Sequence, residues 1–431
     1  MTDFSLLKCI HCGAEYDARQ VRYRCDCGDL LEVRHDLQRL KSQHPDLKRL
    51  FSQRMASAKP PYSSGVWRYH EIILPDLPAD AIVTKPEGNT NLYRSPKISA
   101  AFDTKNLYLK HEGENPTLSF KDRGMTAGVS WAHHLGMKVV ACASTGDTSA
   151  AMAAYAAGVQ GMQGVVFLPH QKVSPEQLAQ AITYGAKTLA IQTDFDGCMK
   201  LVIKLCDQHP IYLLNSMNSF RIEGQKAIGI EAVHQLGWNV PDWFVIPVGN
   251  AGNISALGKG LQEARELGII DRLPRIAGIQ AKAADPFYRS YETGFSKKIT
   301  VTAQPTMASA IRIGAPVSHD KAAKAVQRFD GVVRAVSEQE LMDAKAAADR
   351  CGVAVCPNSG VALAGLRKLR ADGTIAQNET VVVVLTAHGA KFSNLGVDYH
   401  TAKMPDLQPS HPNPPVVLPP DLDAIADALN L

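Results

Sequence analysis

The chain has 431 residues, 45% hydrophobic and 20% charged, a folded globular composition that excludes a disordered, collagen-like or disulfide-stapled chain. At roughly 100–200 residues per domain, two or three domains with at least one full core are expected. Forty-six Lys and Arg against 42 Asp and Glu leave a net charge of +4 without any block of like charge, so neither nucleic acid nor a membrane is expected as a partner.

The start, MTDFSLLKCIHC, lacks the basic, apolar and small-residue regions of a signal peptide, and no run approaches the ~18 apolar residues of a spanning helix. A cytoplasmic location is the expectation. Cys9, Cys12, Cys25 and Cys27 then form a CxxC and a CxC pair, each followed directly by glycine. Glycine there lets the chain turn so that both thiolates of a pair face one ion, and four sulfurs suit tetrahedral Zn²⁺. The second pair is one residue short of the usual spacing, so a structural zinc, a metal-free ribbon and redox chemistry all stay open. His11 reads as a bystander.

Residues 36–80 are charged and punctuated by proline, as in a helical connector. From about Ile82 to Gly396, short β-branched apolar runs alternate with longer helical stretches, the pattern of a parallel sheet covered by helices. Strands are predicted at Lys138–Ser144, Gly164–Pro169, Ile211–Asn215, Phe244–Val248, Arg275–Gln280 and Val381–Thr386. A helix opening at Ser174, with Pro175 first and Gln177 third, has the form of a capping box. Seven prolines between Pro405 and Pro420 predict an extended strap, followed by one short docked helix over Asp421–Leu431.

The chemistry concentrates in loops that follow strands. In Leu107–Met125 an extended run ends in a polar turn and Ser119-Phe120-Lys121-Asp122-Arg123 begins a helix, with Ser119 as expected N-cap. A first-turn lysine faces the positive end of the helix dipole, which lowers its pKa and frees its amine for nucleophilic work. Ser144-Thr145-Gly146-Asp147-Thr148-Ser149 offers hydroxyls and backbone N–H groups at a helix start, an arrangement that accepts a carboxylate or phosphate. Gly249-Asn250-Ala251-Gly252-Asn253 is neither a dinucleotide fingerprint nor a P-loop, and suits a single phosphate monoester. Asn215 to Arg221 and Leu385 to Lys391 also end strands, where open α/β sheets bind ligands. His388 reads as a histidine packed in its turn rather than as a base. A helix-start lysine with several anion loops points to pyridoxal phosphate, joined to the lysine as a Schiff base with its phosphate in a glycine-rich loop.

These residues resemble one family, the threonine synthases among the fold-type II pyridoxal-phosphate enzymes. The motifs are EGNT at 87–90, ENPTLSFKDRGM at 114–125, STGDTSAA at 144–151, NSMNSFRIEGQK at 215–226, VGNAGN at 248–253, AIRIGAP at 310–316, CPNSGVALAGL at 356–366 and LTAHGAKFS at 385–393. The STGDT and CPxxGVALxxL forms are similar to the plant-type branch.

The resemblance implies an α/β fold of two open twisted-sheet domains, tryptophan synthase β-like, behind a small zinc-ribbon-like segment. The expected division is 1–35 for the ribbon, 36–80 for a connector arm, 81–106 with 196–404 for the large domain, 107–195 for the small domain carrying the lysine, and 405–431 for the strap.

The resemblance also implies roles. Lys121 is the catalytic, cofactor-bearing lysine, with Phe120 beside it. Gly249, Asn250, Ala251, Gly252 and Asn253 cradle the cofactor phosphate and Thr386 bonds its ring nitrogen. Ser144, Thr145, Gly146 and Thr148 hold the substrate carboxylate; Asn215, Ser216 and Arg221 take the phosphate of O-phosphohomoserine. Asp147, where many relatives have asparagine, is expected on the cofactor side, turned away or sharing a proton. A homodimer is the family expectation. The rival enzymes are a serine or threonine dehydratase, which needs no second phosphate pocket, and cysteate synthase, which keeps one for O-phosphoserine. A non-catalytic zinc-ribbon and α/β binding protein is the rival of another class.

Overall fold

The computed structural model describes residues 3–170 and 175–431. Among them the N-terminal sheet has β1 (Ser5–Cys9), β2 (Glu15–Asp17) and β3 (Leu31–His35), antiparallel and in the order β2-β1-β3. The next strands along the chain are β4 (Leu92–Tyr93), β5 (Asn106–His111), β6 (Val139–Ala143), β7 (Gln163–Pro169), β8 (Lys187–Ile191) and β9 (Ile211–Leu213). The last are β10 (Trp243–Pro247), β11 (Arg275–Ala281), β12 (Val332–Val336) and β13 (Thr380–Leu385).

A six-stranded sheet runs β12-β11-β10-β13-β5-β4, parallel except for β4, and a four-stranded parallel sheet runs β8-β7-β6-β9. Strands such as Trp-Phe-Val-Ile-Pro of β10 are buried along their whole length, because helices cover both faces of a parallel sheet. All six predicted strands form, with ends shifted by at most two residues.

Sheet membership changes at points other than the expected boundaries. β5 belongs to the six-stranded sheet, so the chain leaves that sheet after His111 and not at 106. β9 is still in the four-stranded sheet, so the return comes after Leu213 and not at 195. The stretch expected as a connector arm is also part of the body. Trp67, Tyr69, Ile72 and Ile73 are fully buried in one core with Met125 and Val129, and Trp67 Nε1 donates to Thr126 Oγ1 at 2.8 Å.

The helix Pro175–Thr183 is present, while the Ser174 cap expected for it lies outside the described residues. The strap after Pro405 has no helix or strand before Leu422 and is tied to Asp343 through Ser410. The terminal helix, Leu422–Leu429, forms but does not dock: Leu422 and Leu429 remain exposed.

Candidate active site

The loops of interest all follow the carboxyl ends of parallel strands and converge between the six-stranded and the four-stranded sheet. The Lys121 loop follows β5, Ser144 follows β6, Asn215 follows β9, Gly249 follows β10 and Thr386 follows β13. Neighbouring strands bring neighbouring loops together, β6 with β9 in one sheet and β5 and β10 on either side of β13 in the other.

Lys121 is the first residue of the helix Lys121–His134. Phe120 occupies the cap position, while Ser119 Oγ accepts from the Lys121 N–H at 3.3 Å, so the helix starts one residue later than a Ser119 cap implies. The turn is pinned to the end of β13 by Phe120 N–H donating to Thr386 O at 3.0 Å and His388 N–H to Leu118 O at 3.1 Å. Leu118 is held at φ +64°, a left-handed conformation that a leucine adopts only when its surroundings enforce it. The amine itself lies 3.7 Å from the centre of the Phe120 ring. Burial, with the Arg221 charge next, lowers the Lys121 pKa to about 7; Asp147 opposes the shift and Lys391 adds to it. The three side chains that act on Lys121 come from three other segments of the chain.

The helix is anchored by buried charge. Arg123 Nε meets Glu112 at 2.6 Å and its Nη2 meets Glu231 at 2.8 Å, while Lys110 Nζ shares Glu231 at 2.5 Å, all four side chains being withdrawn from solvent. Removing one member of such a network leaves an uncompensated charge, which costs about 3–5 kcal/mol. Hydropathy reading missed this network, as it did Asp122, whose carboxyl burial pushes up to about 7. Asp122 Oδ2 accepts from Thr117 Oγ1 at 2.8 Å.

The Gly249–Asn253 turn has the features of an anion cradle. Ala251 is left-handed at φ +62° and precedes the helix Gly252–Glu266. A Cβ on Gly249 would meet Ile311 Cα at 2.9 Å, so only glycine fits. Asn253 is buried with neither side-chain polar atom partnered among the described residues, which is costly unless a ligand supplies the bonds. Asn250 is held by Ser318 N–H donating to its carbonyl at 3.0 Å. Thr386 is buried, its N–H donating to Ser359 Oγ at 2.9 Å and its Oγ1 3.7 Å from Cys356 Sγ. Ser359 and Cys356 were not singled out from the sequence, although the CPNSG motif contains both.

In the four-stranded sheet, residues 144–148 are half-buried and a Cβ on Gly146 would meet nothing within 4 Å. Gly146 N–H donates to Ser144 Oγ at 3.3 Å. Asn215 uses both ends of its amide on Ala143, accepting from its N–H at 2.9 Å and donating to its carbonyl at 2.8 Å. The two loops are thereby tied together, and the Asn215 side chain is spent on the tie. Ser216 is half-buried beside it. Arg221, in the helix Ser219–Gln225, is buried; its Nη1 donates to Leu214 O at 3.0 Å and its Nε has no partner among the described residues. His388 caps its own turn, Nδ1 accepting from Ala390 N–H at 3.0 Å.

Asp147 is paired with Lys391, whose Nζ lies 2.7 Å from its carboxylate. The donor set fits pyridoxal phosphate: a lysine with a depressed pKa, a tight glycine turn with an unsatisfied asparagine, and a buried hydroxyl. The cysteines also come together. The sulfurs of Cys9, Cys12, Cys25 and Cys27 all lie within 4.8 Å of one another, a spacing four thiolates can adopt around one Zn²⁺. Among the described residues no helix is long and apolar enough to cross a membrane.

Comparison with known proteins agrees with this geometry. Residues 83–387 match the family of pyridoxal-phosphate dependent enzymes. Threonine synthase 2, chloroplastic, from Arabidopsis thaliana is 44% identical over 422 residues, covering 96% of this chain and 82% of that protein. The threonine synthase of Methanocaldococcus jannaschii is 44% identical over 90% of this chain and 93% of its own length. Among solved structures, threonine synthase from Escherichia coli superposes with a TM-score of 0.67 at 21% identity, over 99% of both chains, which speaks for the fold. The chain belongs to the pyridoxal-phosphate dependent enzymes and, among them, to the threonine synthases.

Proposed function

We infer that this chain is a threonine synthase, converting O-phospho-L-homoserine and water to L-threonine and inorganic phosphate by a β,γ-replacement. Arg221 carries the reading: a buried guanidinium whose Nε has no partner among the described residues, close enough to Lys121 for its charge to depress the amine. A dehydratase acting on a free hydroxyamino acid has no phosphate for such a cation to hold. Arginine suits a phosphate dianion because its fork donates two parallel bonds and its charge is permanent.

Bound pyridoxal phosphate supplies the electron sink that makes the substrate carbons next to the amine acidic. Gly249, Asn250, Ala251, Gly252 and Asn253 would hold its phosphate, Phe120 would flank it, and Thr386 would meet its ring nitrogen with a neutral hydroxyl. Asp147, paired with Lys391, would border the cofactor without repelling it. Ser144, Thr145, Gly146 and Thr148 orient the substrate carboxylate. Lys121, whose pKa burial lowers to about 7, takes protons from the α- and β-carbons and returns them. Arg221 and Ser216 receive the phosphate that leaves the γ-carbon, and Asn215 fixes their loop against the carboxylate loop.

Purified protein supplied with pyridoxal phosphate should release phosphate and L-threonine in equal amounts from O-phosphohomoserine. Faster phosphate release from O-phosphoserine, or ammonia formed from L-threonine, would assign a different reaction. The cysteine cluster supports a structural zinc, read as about one zinc per chain by metal analysis. A cytoplasmic homodimer is the accompanying proposal, measured by mass in solution.

A further inference from the structure

The N-terminal ribbon docks on the elements that carry Arg221. β9 is an edge strand, so its outer backbone groups need partners from outside the sheet. The ribbon supplies one: Leu213 N–H donates to Tyr23 Oη at 2.6 Å, two residues before Asn215. The Tyr23 ring lies edge-on to Tyr212 at 6.0 Å. Leu30 of the ribbon is buried in one cluster with Ala141, Ala143, Leu213 and Met217, the residues that flank both anion loops of this sheet.

The helix bearing Arg221 is held from the same side. Ser219 Oγ donates to Leu31 O at 2.7 Å, two residues ahead of Arg221. His35 Nε2 meets Glu223 at 2.9 Å, two residues beyond it, both side chains fully buried. Lys259 from the helix Gly252–Glu266 bonds both Glu223 and the Val33 carbonyl. The segment 213–223 is therefore gripped by β3 and Tyr23 before, within and after the residues that face the substrate phosphate.

We propose that the ribbon is the outer wall of the phosphate-monoester pocket, with Tyr23 and the Ser219–Leu31 bond as positioning elements that hold Ser216 and Arg221 in place. This rests on the threonine synthase reading. Without the Tyr23 hydroxyl, Leu213 N–H loses its partner at the edge of β9, and the loop behind it shifts rather than unfolds. Ground-state and leaving-phosphate binding then weaken together, while the cofactor cradle on β10 is untouched.

The test compares Tyr23→Phe and Ser219→Ala with the wild-type holoenzyme and with Lys324→Ala, which cuts only a ribbon contact to the helix His319–Arg328, at Ile10 O. Inorganic phosphate is the probe, through its inhibition constant and by calorimetry. In Tyr23→Phe and Ser219→Ala the phosphate constant and KM should each rise about tenfold, equivalent to about 1.4 kcal/mol, with kcat, cofactor saturation and the Lys324→Ala constants unchanged. An unchanged phosphate constant in both variants overturns the proposal even if the melting temperature falls. Equal loss of cofactor, or an equal rise in Lys324→Ala, also overturns it, since the ribbon then stabilises the whole fold. If the wild type releases no phosphate from O-phosphohomoserine, the functional reading fails, and calorimetry with phosphate still decides the ribbon's part.

Discussion

Lys391 Nζ lies 2.7 Å from the carboxylate of Asp147, and the pair joins the turn after β13 of the six-stranded sheet to the helix start after β6 of the four-stranded one. Lys391 also donates to the Thr117 carbonyl at 3.1 Å, so one ammonium touches the Lys121 loop and the carboxylate loop at once.

Asp147→Asn removes the negative charge that opposes the depression of the Lys121 pKa and leaves the Lys391 charge uncompensated. Both changes disfavour the Lys121 ammonium, so its midpoint should fall below the wild-type value of about 7. Only the neutral amine condenses with an aldehyde. The rate of cofactor capture by apoprotein should rise with pH to a plateau above about 7 in the wild type, and reach it at lower pH in the variant. An unchanged or higher midpoint contradicts the assignment.

Arg221→Ala should lower kcat/KM for O-phosphohomoserine roughly 100-fold, the scale of losing a buried charge partner, while the bound-cofactor spectrum persists. Arg221→Lys restores only part, because an ammonium lacks the planar fork. Steady-state kinetics beside cofactor titration separate the two effects.

Asn253→Ala separates ligand binding from folding. Both polar atoms of Asn253 lack partners among the described residues, so deleting them removes a desolvation cost from the apoprotein. Apoprotein stability should stay the same or rise, while cofactor affinity falls about tenfold for the lost hydrogen bond. Thermal unfolding with and without pyridoxal phosphate checks both signs.

Much of this was legible in the chain. Val381 to Leu385 and Val139 to Ala143 announce buried parallel strands because β-branched residues there are apolar on both faces. The 144–148 and 249–253 turns stand out because unusual residue types sit just after such strands, and Lys121 because it opens a helix beyond the polar turn that follows β5. β8 and β12 did not stand out: Lys-Thr-Leu-Ala-Ile and Val-Val-Arg-Ala-Val are edge strands, half-covered or interrupted by a charge. The Lys110, Glu112, Arg123 and Glu231 network was hidden for another reason. Hydropathy assigns charges to the surface, and Lys110 meets Glu231 across 121 positions of chain. The packing of Trp67 to Ile73 was masked by the charged residues around it.

Gly224→Ala tests the packing that sets Lys121 relative to Arg221. A Cβ there would come within 1.8 Å of the Arg123 carbonyl, a backbone atom that no rotamer change can move aside. The helices Lys121–His134 and Ser219–Gln225 must separate, at about 1–3 kcal/mol or more. A lower melting temperature with a disproportionate fall in kcat is expected; wild-type values for both would refute the close crossing.

The covalent attachment of the cofactor is the most direct test. Holoenzyme reduced with borohydride, digested and mapped by mass spectrometry should carry the phosphopyridoxyl group on the peptide containing Lys121, and Lys121→Ala should carry none. Label on a different lysine, or none on the wild type at cofactor saturation, would contradict the account.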